Sequence, residues 1–392
     1  CGKTLVASLA LYACVLSGHQ GAIMAPTEIL ARQHAESLKQ LFAGLPIRID
    51  ALYSSLPQAE KKEVLRRLAQ GETDLVAGTH ALFQKEVQFQ KLGLVVADEQ
   101  HRFGVAQRRA LKEKGEKVDF LLMSATPIPR TLASTIYGDM DISTIVTMPP
   151  GRKKVITRLI PHNSLQPVMA ELQRQLAQGG QIYIVCSAIE DNDHFDGRNA
   201  TEIYDHLKQA FAGKASLGLM HGRMSSEEKE QTMRRFQRNE IQILVSTTVI
   251  EVGVNVVNAC CMVIYDAHRF GLSQLHQLRG RVGRGNRQGY CYLLTSSKDP
   301  DSLARLKILE DNSDGFEIAM KDLQQRGPGE LLGTRQSGVP GLVLGNLIED
   351  TRIIQTARQD AIRILDHPQD PDNAALLRKI ELENQSAISY MD

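Results

Sequence analysis

The chain has 392 residues, of which 42% are hydrophobic and 23% charged, so it is long enough for two or three globular domains with sizeable cores. Its 46 basic and 45 acidic residues nearly cancel, which excludes a strong overall charge as the means of holding a polyanion but allows a local basic strip. No apolar run approaches the ~20 residues that span a bilayer, so the sequence predicts no membrane partner.

In the first part of the chain, short β-branched runs alternate with helical patterns. Helices are predicted from about Glu28 to Phe42 and from Pro57 to Gln70. The strand candidates are "AIMAP", "RIDALY", "DLVAGT", "LGLVVADE" and "VDFLLMSAT". This alternation predicts crossover units and a parallel sheet covered on both faces, which together make one α/β lobe.

The segment from Thr147 to Lys154, "TMPPGRKK", interrupts the alternation with two prolines and a glycine and is predicted to link two lobes. Strand and helix patterns then alternate again from "VITRLI" to "GYCYLLTS", which predicts a second α/β lobe. Beyond Ser297 only helical patterns follow. The predicted domains are therefore 1–149, 150–297 and 298–392.

The six cysteines lie at positions 1, 14, 186, 260, 261 and 291. They form no C-x-x-C pair and no metal-ligand spacing, and most of them lie in apolar, strand-like runs. We therefore expect reduced core cysteines, as in a cytosolic protein.

The chain opens on "CGKT", a Gly-Lys-Thr that precedes an apolar helical pattern. In a phosphate-binding loop, backbone N–H groups wrap the phosphates, the lysine neutralises the β- and γ-phosphates, and the hydroxyl holds Mg²⁺. Taken alone, these few residues favour a chance match in an ordinary loop, and the phosphate-loop interpretation depends on the carboxylates described next. On the phosphate-loop interpretation, the Gly-rich first half of the loop is expected upstream of the given sequence, and the chain alone is expected to bind ATP poorly.

Two consecutive carboxylates, Asp98 and Glu99, follow the apolar run "LVVA". Ligands of open α/β sheets bind at the carboxyl ends of the strands. Burying two adjacent acids requires a partner, and Mg²⁺ is a suitable one: Asp98 would hold it, and Glu99 would orient or deprotonate the attacking water. The alternative is an exposed acidic turn.

The third element is "QLHQLRGRVGRG", in which Gln277, Arg281 and Arg284 are spaced by four and three residues. On a helix this spacing places all three on one face. Arginines on a facing lobe can stabilise charge on a transferring phosphoryl group. The glycines at 280, 283 and 285 allow a close approach of backbone or ligand. The alternative is a solvated basic surface.

Taken in order, several segments resemble the motifs of superfamily 2 helicases: "CGKT", "APTEILARQH", "GTHALFQ", "DEQHRFG", "MSATPIPRTLA", "GLMHGRM", "STTVIEVGVNVVNA" and "QLHQLRGRVGRG". The segment from Asp314 to Gly338 resembles the translocation motif shared by RecG helicases and transcription-repair coupling factors. "DEQHRFG", "RVGRG" and "GTRQSG" are closest to the RecG family, and the resemblance covers essentially the whole chain. It implies an α/β fold with two tandem RecA-like parallel-sheet lobes of the P-loop NTPase type, followed by a C-terminal helical segment.

The resemblance implies ATP and Mg²⁺ as cofactors. The implied metal ligands are Thr4 and Asp98. The other implied catalytic and nucleotide-binding residues are Gly2, Lys3, Glu99, Asn255, Gln277, Arg281 and Arg284. Where the family usually has an acid, this chain has Asn255, which can accept a hydrogen bond but lacks the charge. We therefore expect weaker nucleotide affinity or coupling at that position.

The resemblance also implies residues that face DNA or couple it to the nucleotide. They are Pro26, Thr27, Gly78, Thr79, His80, His101, Ser124, Thr126, His221, Gly222, Arg223, Thr247, Thr248, Arg326, Arg335 and Gln336. Hydroxyls, backbone amides and helix N-termini suit sequence-independent phosphate contacts. In the segment 314–338, Asp322 and Arg326 are four residues apart and are predicted to pair along a helix that "RGPG" ends. An ordinary helical cap is the alternative for that segment.

The implied function is that of an ATP-dependent double-stranded DNA translocase and helicase in DNA repair and recombination. It would remodel stalled forks and branched intermediates by fork reversal and Holliday junction branch migration. The implied partners are branched or forked DNA and a single-stranded DNA-binding protein, and the implied state is a monomer in the bacterial cytoplasm, associated with the nucleoid. The alternatives are a transcription-repair coupling translocase that acts on stalled RNA polymerase, and a catalytically inactive DNA-binding scaffold.

Overall fold

A computed structural model describes residues 2–98, 114–115, 117–124, 141–145, 153–161, 165–187, 198–247, 256–326 and 350–388. The structure forms two compact units. One comprises Cys1–Pro127 and Ile145–Asp322, and the other comprises Ile128–Thr144 and Leu323–Asp392. Both sheets described below belong to the first unit, and the domain boundaries at 149/150 and 297/298 stay predictions.

The first lobe is built on a five-stranded parallel sheet in the order β2-β3-β1-β4-β5. Its strands are β1 (Gln20–Met24), β2 (Ile49–Leu52), β3 (Leu75–Gly78), β4 (Leu92–Asp98) and β5 (Asp119–Met123). Its helices are α1 (Lys3–Leu16), α2 (Glu28–Leu41) and α3 (Gln58–Gln70). In the register of the central strands, Ile23 lies between Ala77 and Val96. All five residues of β1 are buried, as expected for a strand that helices cover on both faces.

The second lobe is built on a six-stranded parallel sheet in the order β6-β11-β10-β7-β9-β8. Its strands are β6 (Ile156–Pro161), β7 (Gln181–Val185), β8 (Leu217–Met220), β9 (Ile243–Ser246), β10 (Ala259–Ile264) and β11 (Tyr290–Thr295). Its helices are α4 (Gln166–Ala177), α5 (Arg198–Ala210), α6 (Ser226–Gln237) and α7 (Leu272–Arg279). The two predicted α/β lobes are therefore confirmed.

Among the described residues that follow the second sheet, the helices are α8 (Pro300–Asp311), α9 (Gly315–Arg326), α10 (Thr351–Asp366) and α11 (Pro371–Ile388). Leu306 and Leu309 of α8 and Ile318 of α9 pack into the core of the second lobe, beside Leu275 and Leu293. These apolar contacts hold α8 and the first part of α9 against the second sheet, because removing apolar side-chain surface from water stabilises the packed state.

The five described cysteines are free thiols, as predicted. Cys186, Cys260, Cys261 and Cys291 are buried, and Cys14 is half-buried. Burial raises the pKa of the Cys186 and Cys291 thiols to about 12, so both are protonated at neutral pH. In the part of the chain that the structure describes, no helix combines the length and the apolar character needed to cross a membrane.

Candidate functional site

The start of α1 lies at the carboxyl edge of the first sheet. The helix packs against β1 and β4, and the short turn at 17–19 connects its C-terminus to the start of β1. The helix therefore runs antiparallel to the strands. Its first residue, Lys3, therefore lies at the edge where β4 ends in Asp98. Gly2 has a left-handed backbone (φ 83°), and a Cβ there would meet no atom of the described residues within 4 Å.

This helix start has the donors that a bound phosphate requires. The first turn of α1 contains no acidic residue, and its N-cap residue, Gly2, has no side chain that could cap it. The N–H groups and the positive end of a 14-residue helix are therefore directed outwards at the carboxyl edge of the sheet. Lys3 is half-buried and Thr4 is exposed. One ammonium, one hydroxyl and a helix N-terminus fit a nucleotide phosphate.

The nearby carboxylate also fits Mg²⁺. This ion keeps several waters and is usually held by one or two carboxylates, not by a cage of protein ligands. Asp98 and Thr4 supply one carboxylate and one hydroxyl at the same edge of the sheet. Among the described residues, no group of three or more His, Cys, Asp or Glu side chains could form a denser metal centre.

The carboxylate of Asp98 contacts His34 of α2. The distance between His34 Nε2 and Asp98 Oδ2 is 3.3 Å, and the two side chains are only 10% and 20% exposed. His34 lies on the buried face of α2, together with Leu30, Ala31 and Leu38. Sequence reasoning assigned no role to His34. The available signal was a histidine within the apolar period of the motif "APTEILARQH".

Ser124 lies at the same edge as Asp98. Asp98 pairs in register with Met123, the last residue of β5, and Ser124 follows directly. The structure therefore brings the first residue of the "SAT" segment next to the end of β4. The predicted partners Glu99, His101 and Thr126 lie outside the described residues.

The predicted DNA-facing residues of the first lobe follow two neighbouring strands. Pro26 and Thr27 connect β1 to α2, while Gly78, Thr79 and His80 end β3 and follow it. Thr27 Oγ1 is buried and makes no hydrogen bond within the described residues. A Cβ at Gly78 would lie 2.6 Å from the carbonyl oxygen of Leu52, so the packing of the strands requires glycine there.

The corresponding residues of the second lobe follow β8 and β9. His221, Gly222 and Arg223 come directly after β8, and Thr247 comes directly after β9. Thr247 donates its N–H to the carbonyl of Met220 (3.1 Å), which joins the two strand ends. His221 Nδ1 is buried and has no hydrogen-bond partner within the described part of the chain. Thr248 and Asn255 lie outside the described residues.

The prediction that Gln277, Arg281 and Arg284 share one helix face is wrong. Helix α7 ends at Arg279, and Gly283 has a left-handed backbone (φ 67°) that no α-helix contains. A Cβ at Gly283 would lie 3.2 Å from the Cα of Gly289, so this turn is tightly packed. Only Gln277 is on the helix.

The two arginines lie in the turn at 280–285, which we call the arginine loop. Arg281 is buried, while Arg284 is exposed and donates from Nε to the carbonyl of Gly280 (3.1 Å). Burial raises the pKa of the Tyr183 hydroxyl, and the charges of Arg281 and Arg284 oppose that shift, so both guanidinium groups act on the same region of β7. A Cβ at Gly285 would lie 2.8 Å from the carbonyl oxygen of Val257. The close approach predicted for these glycines is made by protein backbone.

Arg279, which sequence reasoning also left unassigned, holds α7 against α8. Its Nη1 donates to the carbonyls of Leu309 and Asn312, at 2.7 Å each, and its Nη2 lies 2.9 Å from His276 Nδ1. Burial lowers the pKa of the guanidinium. The role of Arg279 is to attach the helix that leads into the arginine loop.

Asp322 of α9 contacts the start of α7. It accepts hydrogen bonds from the hydroxyl and the N–H of Ser273, at 2.5 and 3.3 Å. Within the described part of the chain, α9 spans Gly315–Arg326. The predicted end of this helix at "RGPG" stays a prediction, because the residues after Arg326 are not described. The predicted pairing of Arg326 with Asp322 stays a prediction, and Arg335 and Gln336 lie outside the described residues.

The two lobes contact each other through α2 and α6. Arg32 Nη1 lies 3.6 Å from Glu230 Oε1, and the guanidinium is 4.4 Å from the centre of the Tyr53 ring. Ile29, one turn earlier on α2, packs against the core of the second lobe. These contacts come from the first turns of α2, which begin at the predicted DNA-facing residue Thr27.

Three families match successive parts of the chain. Residues 1–135 match the DEAD/DEAH box helicase family, and residues 164–286 match the helicase conserved C-terminal domain. Residues 312–391 match a third family, described as ATP-dependent DNA helicase RecG, domain 3, C-terminal. The first two matches cover the two lobes, and the third covers the helices after them.

Individual proteins that are similar to this chain point to the same kind of helicase as the family matches. The chain is 53% identical over 364 residues to the ATP-dependent DNA helicase RecG of Bacillus subtilis, and 52% identical over 360 residues to that of Streptococcus pneumoniae. These alignments cover 93% and 92% of this chain and 53% of each relative, so the chain spans about half the length of the curated relatives it matches. A solved structure of RecG bound to a three-way DNA junction matches with a TM-score of 0.73 and 43% identity, over 90% of this chain and 46% of that one. The chain belongs to the RecG family of superfamily 2 ATP-dependent DNA helicases.

Proposed function

We propose that this chain is the motor of an ATP-dependent translocase and helicase that acts on double-stranded DNA and remodels stalled forks and branched recombination intermediates. Fork reversal and Holliday junction branch migration are the proposed reactions. The observation that carries the proposal is the likeness to the RecG chain bound to a three-way DNA junction, at 43% identity over 90% of this chain.

The side chains at the start of α1 and the end of β4 support the proposal that the chain binds and hydrolyses ATP. Lys3, Thr4 and the N-terminus of α1 bind the phosphates, and Asp98 together with the Thr4 hydroxyl holds Mg²⁺. When bound, Mg²⁺ neutralises charge that develops on the phosphoryl oxygens. Glu99 orients the attacking water. Gly2 allows the chain to turn at the mouth of the site, since its left-handed backbone suits glycine.

The second lobe supplies the other charges. Arg281 and Arg284 of the arginine loop, with Gln277 on the preceding helix, would bind the γ-phosphate. The amide oxygen of Asn255 would accept a hydrogen bond from a ribose hydroxyl. Because Arg279 anchors α7 to α8, the arginine loop moves with the second lobe as a unit. Lobe closure on ATP then brings the arginines to the phosphates, and hydrolysis releases them.

The DNA-facing residues support binding that does not depend on sequence. Thr27 and His221 each have a buried polar atom with no hydrogen-bond partner among the described residues. Burying such an atom is unfavourable unless a ligand supplies the missing hydrogen bond. A phosphate oxygen can accept from either group. Phosphate contacts of this kind position a duplex without reading its bases.

Segment 314–338 is proposed to convert lobe motion into movement along DNA. The contact between Asp322 and Ser273 supports this role, because it joins α9 to the start of the helix that leads to the arginine loop. Arg326, Arg335 and Gln336 are the proposed links between this segment and the duplex. The RecG match over 312–391 favours this function over a transcription-repair coupling translocase.

Branched or forked DNA is the proposed partner, with a single-stranded DNA-binding protein as a second one, and the proposed state is a monomer. The relatives named above are bacterial. We place the proposed activity in the bacterial cytoplasm, at the nucleoid.

The test is the steady-state ATPase rate of the full-length gene product that contains this chain, with and without branched duplex DNA. A Glu99→Gln variant is the matched control, since it keeps the side-chain shape but removes the carboxylate. Hydrolysis that branched DNA stimulates and that the variant lacks supports the motor. Absence of hydrolysis with every DNA would leave the inactive scaffold as the better account.

A further inference from the structure

Helix α2 connects a predicted DNA contact, the second lobe and the proposed magnesium site. It begins at Thr27, a predicted DNA contact, and its second turn carries Arg32, which contacts Glu230 of the second lobe. His34, half a turn later, lies 3.3 Å from Asp98. From Thr27 to His34 the helix rises only about 10 Å. A displacement of α2 at Thr27, Arg32 or His34 therefore moves the other two residues as well.

The N-terminal turns of α2 are held on two sides. Glu28 accepts a hydrogen bond from the N–H of Ser55 (3.1 Å), and the Arg32 guanidinium lies over the Tyr53 ring. On the other side, Arg32 reaches Glu230 of α6. Helix α6 is in turn joined to the loop after β8, since Lys229 Nζ donates to the carbonyl of Gly222 (2.6 Å). The DNA-facing loop after β8 is thus connected to α2 through polar contacts of α6.

The histidine at position 34 is a polar residue on an otherwise apolar face. A buried imidazole is unfavourable unless it is paired, and the described partner of its Nε2 is the carboxylate at the end of β4. An aliphatic side chain would fill the same space without fixing a carboxylate. Groups that hold a metal-binding carboxylate from behind commonly change metal affinity when they are removed.

We propose that His34 is a positioning residue, which fixes the Asp98 carboxylate and transmits the engagement of DNA and of the second lobe, through α2, to the magnesium-nucleotide site. This inference rests on the proposed function. It assigns to His34 no contact with substrate, so that its effect is exerted entirely through Asp98.

The test compares His34→Ala, His34→Gln and His34→Asn in the full-length gene product. Glutamine places its amide nitrogen close to the position of Nε2, whereas asparagine is too short to reach Asp98. Two controls lie on the same helix. Leu38→Ala weakens the packing of α2 and Glu36→Gln changes an exposed residue, and neither alters the contact with Asp98.

Two readouts are needed. The first is the Mg²⁺ concentration for half-maximal ATPase activity, together with the ratio of DNA-stimulated to basal rate. The second does not use turnover: it is the rise in unfolding temperature caused by ADP with Mg²⁺, relative to ADP with EDTA.

We expect His34→Ala and His34→Asn to raise the half-saturating Mg²⁺ concentration about tenfold and to reduce DNA stimulation by a similar factor. The magnesium-dependent rise in unfolding temperature should shrink in parallel. His34→Gln should recover most of each effect. Leu38→Ala should lower the unfolding temperature but leave the Mg²⁺ requirement unchanged.

The inference is overturned if the alanine variant matches the wild type in Mg²⁺ requirement and DNA stimulation, or if glutamine rescues no better than asparagine. If the alanine variant does not fold, the glutamine and asparagine pair decides. If the wild type hydrolyses ATP on DNA and the His34 variants keep its Mg²⁺ requirement and DNA stimulation, only this inference is rejected. A wild-type protein without such hydrolysis rejects the proposed function as well.

Discussion

The carboxylate of Asp322 accepts two hydrogen bonds from Ser273, a residue 49 positions earlier in the chain. Ser273 lies in the first turn of α7, and Asp322 lies on α9 within the segment that resembles the translocation motif. The helix that leads to the arginine loop is therefore attached directly to that segment. Changes at this contact should affect coupling more than chemistry.

We predict that Asp322→Asn uncouples ATP hydrolysis from DNA movement. The buried carboxylate becomes an amide, so the two hydrogen bonds lose the negative charge that raises the contribution of such a bond to about 1.5 to 3 kcal/mol. The ATPase rate on branched DNA should stay within about threefold, while branch migration per ATP should fall at least about tenfold. The control is Glu317→Gln, an exposed acid on the same helix. Equal losses of ATPase and branch migration would contradict the prediction.

Thr27→Val should weaken DNA binding without unfolding the protein. Thr27 precedes α2, but its hydroxyl makes no capping hydrogen bond, so its removal should change the free energy of unfolding by less than about 0.5 kcal/mol. DNA affinity, measured by fluorescence anisotropy, should fall about fivefold for all sequences alike.

The matched control for Thr27 is Ser225, which forms a complete capping box with Glu228 at the start of α6. Ser225→Ala should lower the free energy of unfolding by about 1 kcal/mol. A Thr27 variant as destabilised as the Ser225 variant, with unchanged DNA affinity, would show that Thr27 acts only in the fold.

The arginines of "QLRGRVGRG" should separate into structural and chemical classes. Arg284 is exposed in the arginine loop, so Arg284→Ala should keep the unfolding temperature but lower kcat by at least about 10²-fold, in line with the 10³ to 10⁵ that arginines contribute in other phosphoryl transfers. Arg279→Ala should instead lower the free energy of unfolding by roughly 2 to 4 kcal/mol, because it leaves the carbonyls of Leu309 and Asn312 without their donor. Denaturant unfolding and ATPase assays distinguish the two, and the reverse pattern would contradict the assignment.

Cys186 and Cys291 should resist alkylation in the folded protein. Burial raises the pKa of each thiol to about 12, so the reactive thiolate is scarce at pH 8. Iodoacetamide treatment followed by mass spectrometry of the peptides should find both unmodified until denaturant is added. Rapid modification of either cysteine in the native protein would contradict the packing of the second sheet.

The strands were predictable because each is a short apolar run bounded by turn residues, and the predicted helix from Glu28 to Phe42 differs by one residue from the observed α2. The arginine loop was not predictable from spacing. Gly283 adopts a left-handed backbone and packs against Gly289, and a helical spacing of residues reveals neither feature. The contact between His34 and Asp98 spans 64 residues and depends on the order of strands in the sheet. The sequence pattern shows which residues are polar at buried positions, but only the fold shows which ones meet.

The most direct test of the central claim is strand movement on a fluorescently labelled three-way DNA junction by the full-length gene product, compared with its Asp98→Asn variant. We predict ATP-dependent and Mg²⁺-dependent remodelling of the junction by the wild type and none by the variant, with similar junction affinity for both. ATP hydrolysis without any remodelling of the junction, or remodelling that the variant performs equally well, would contradict the account.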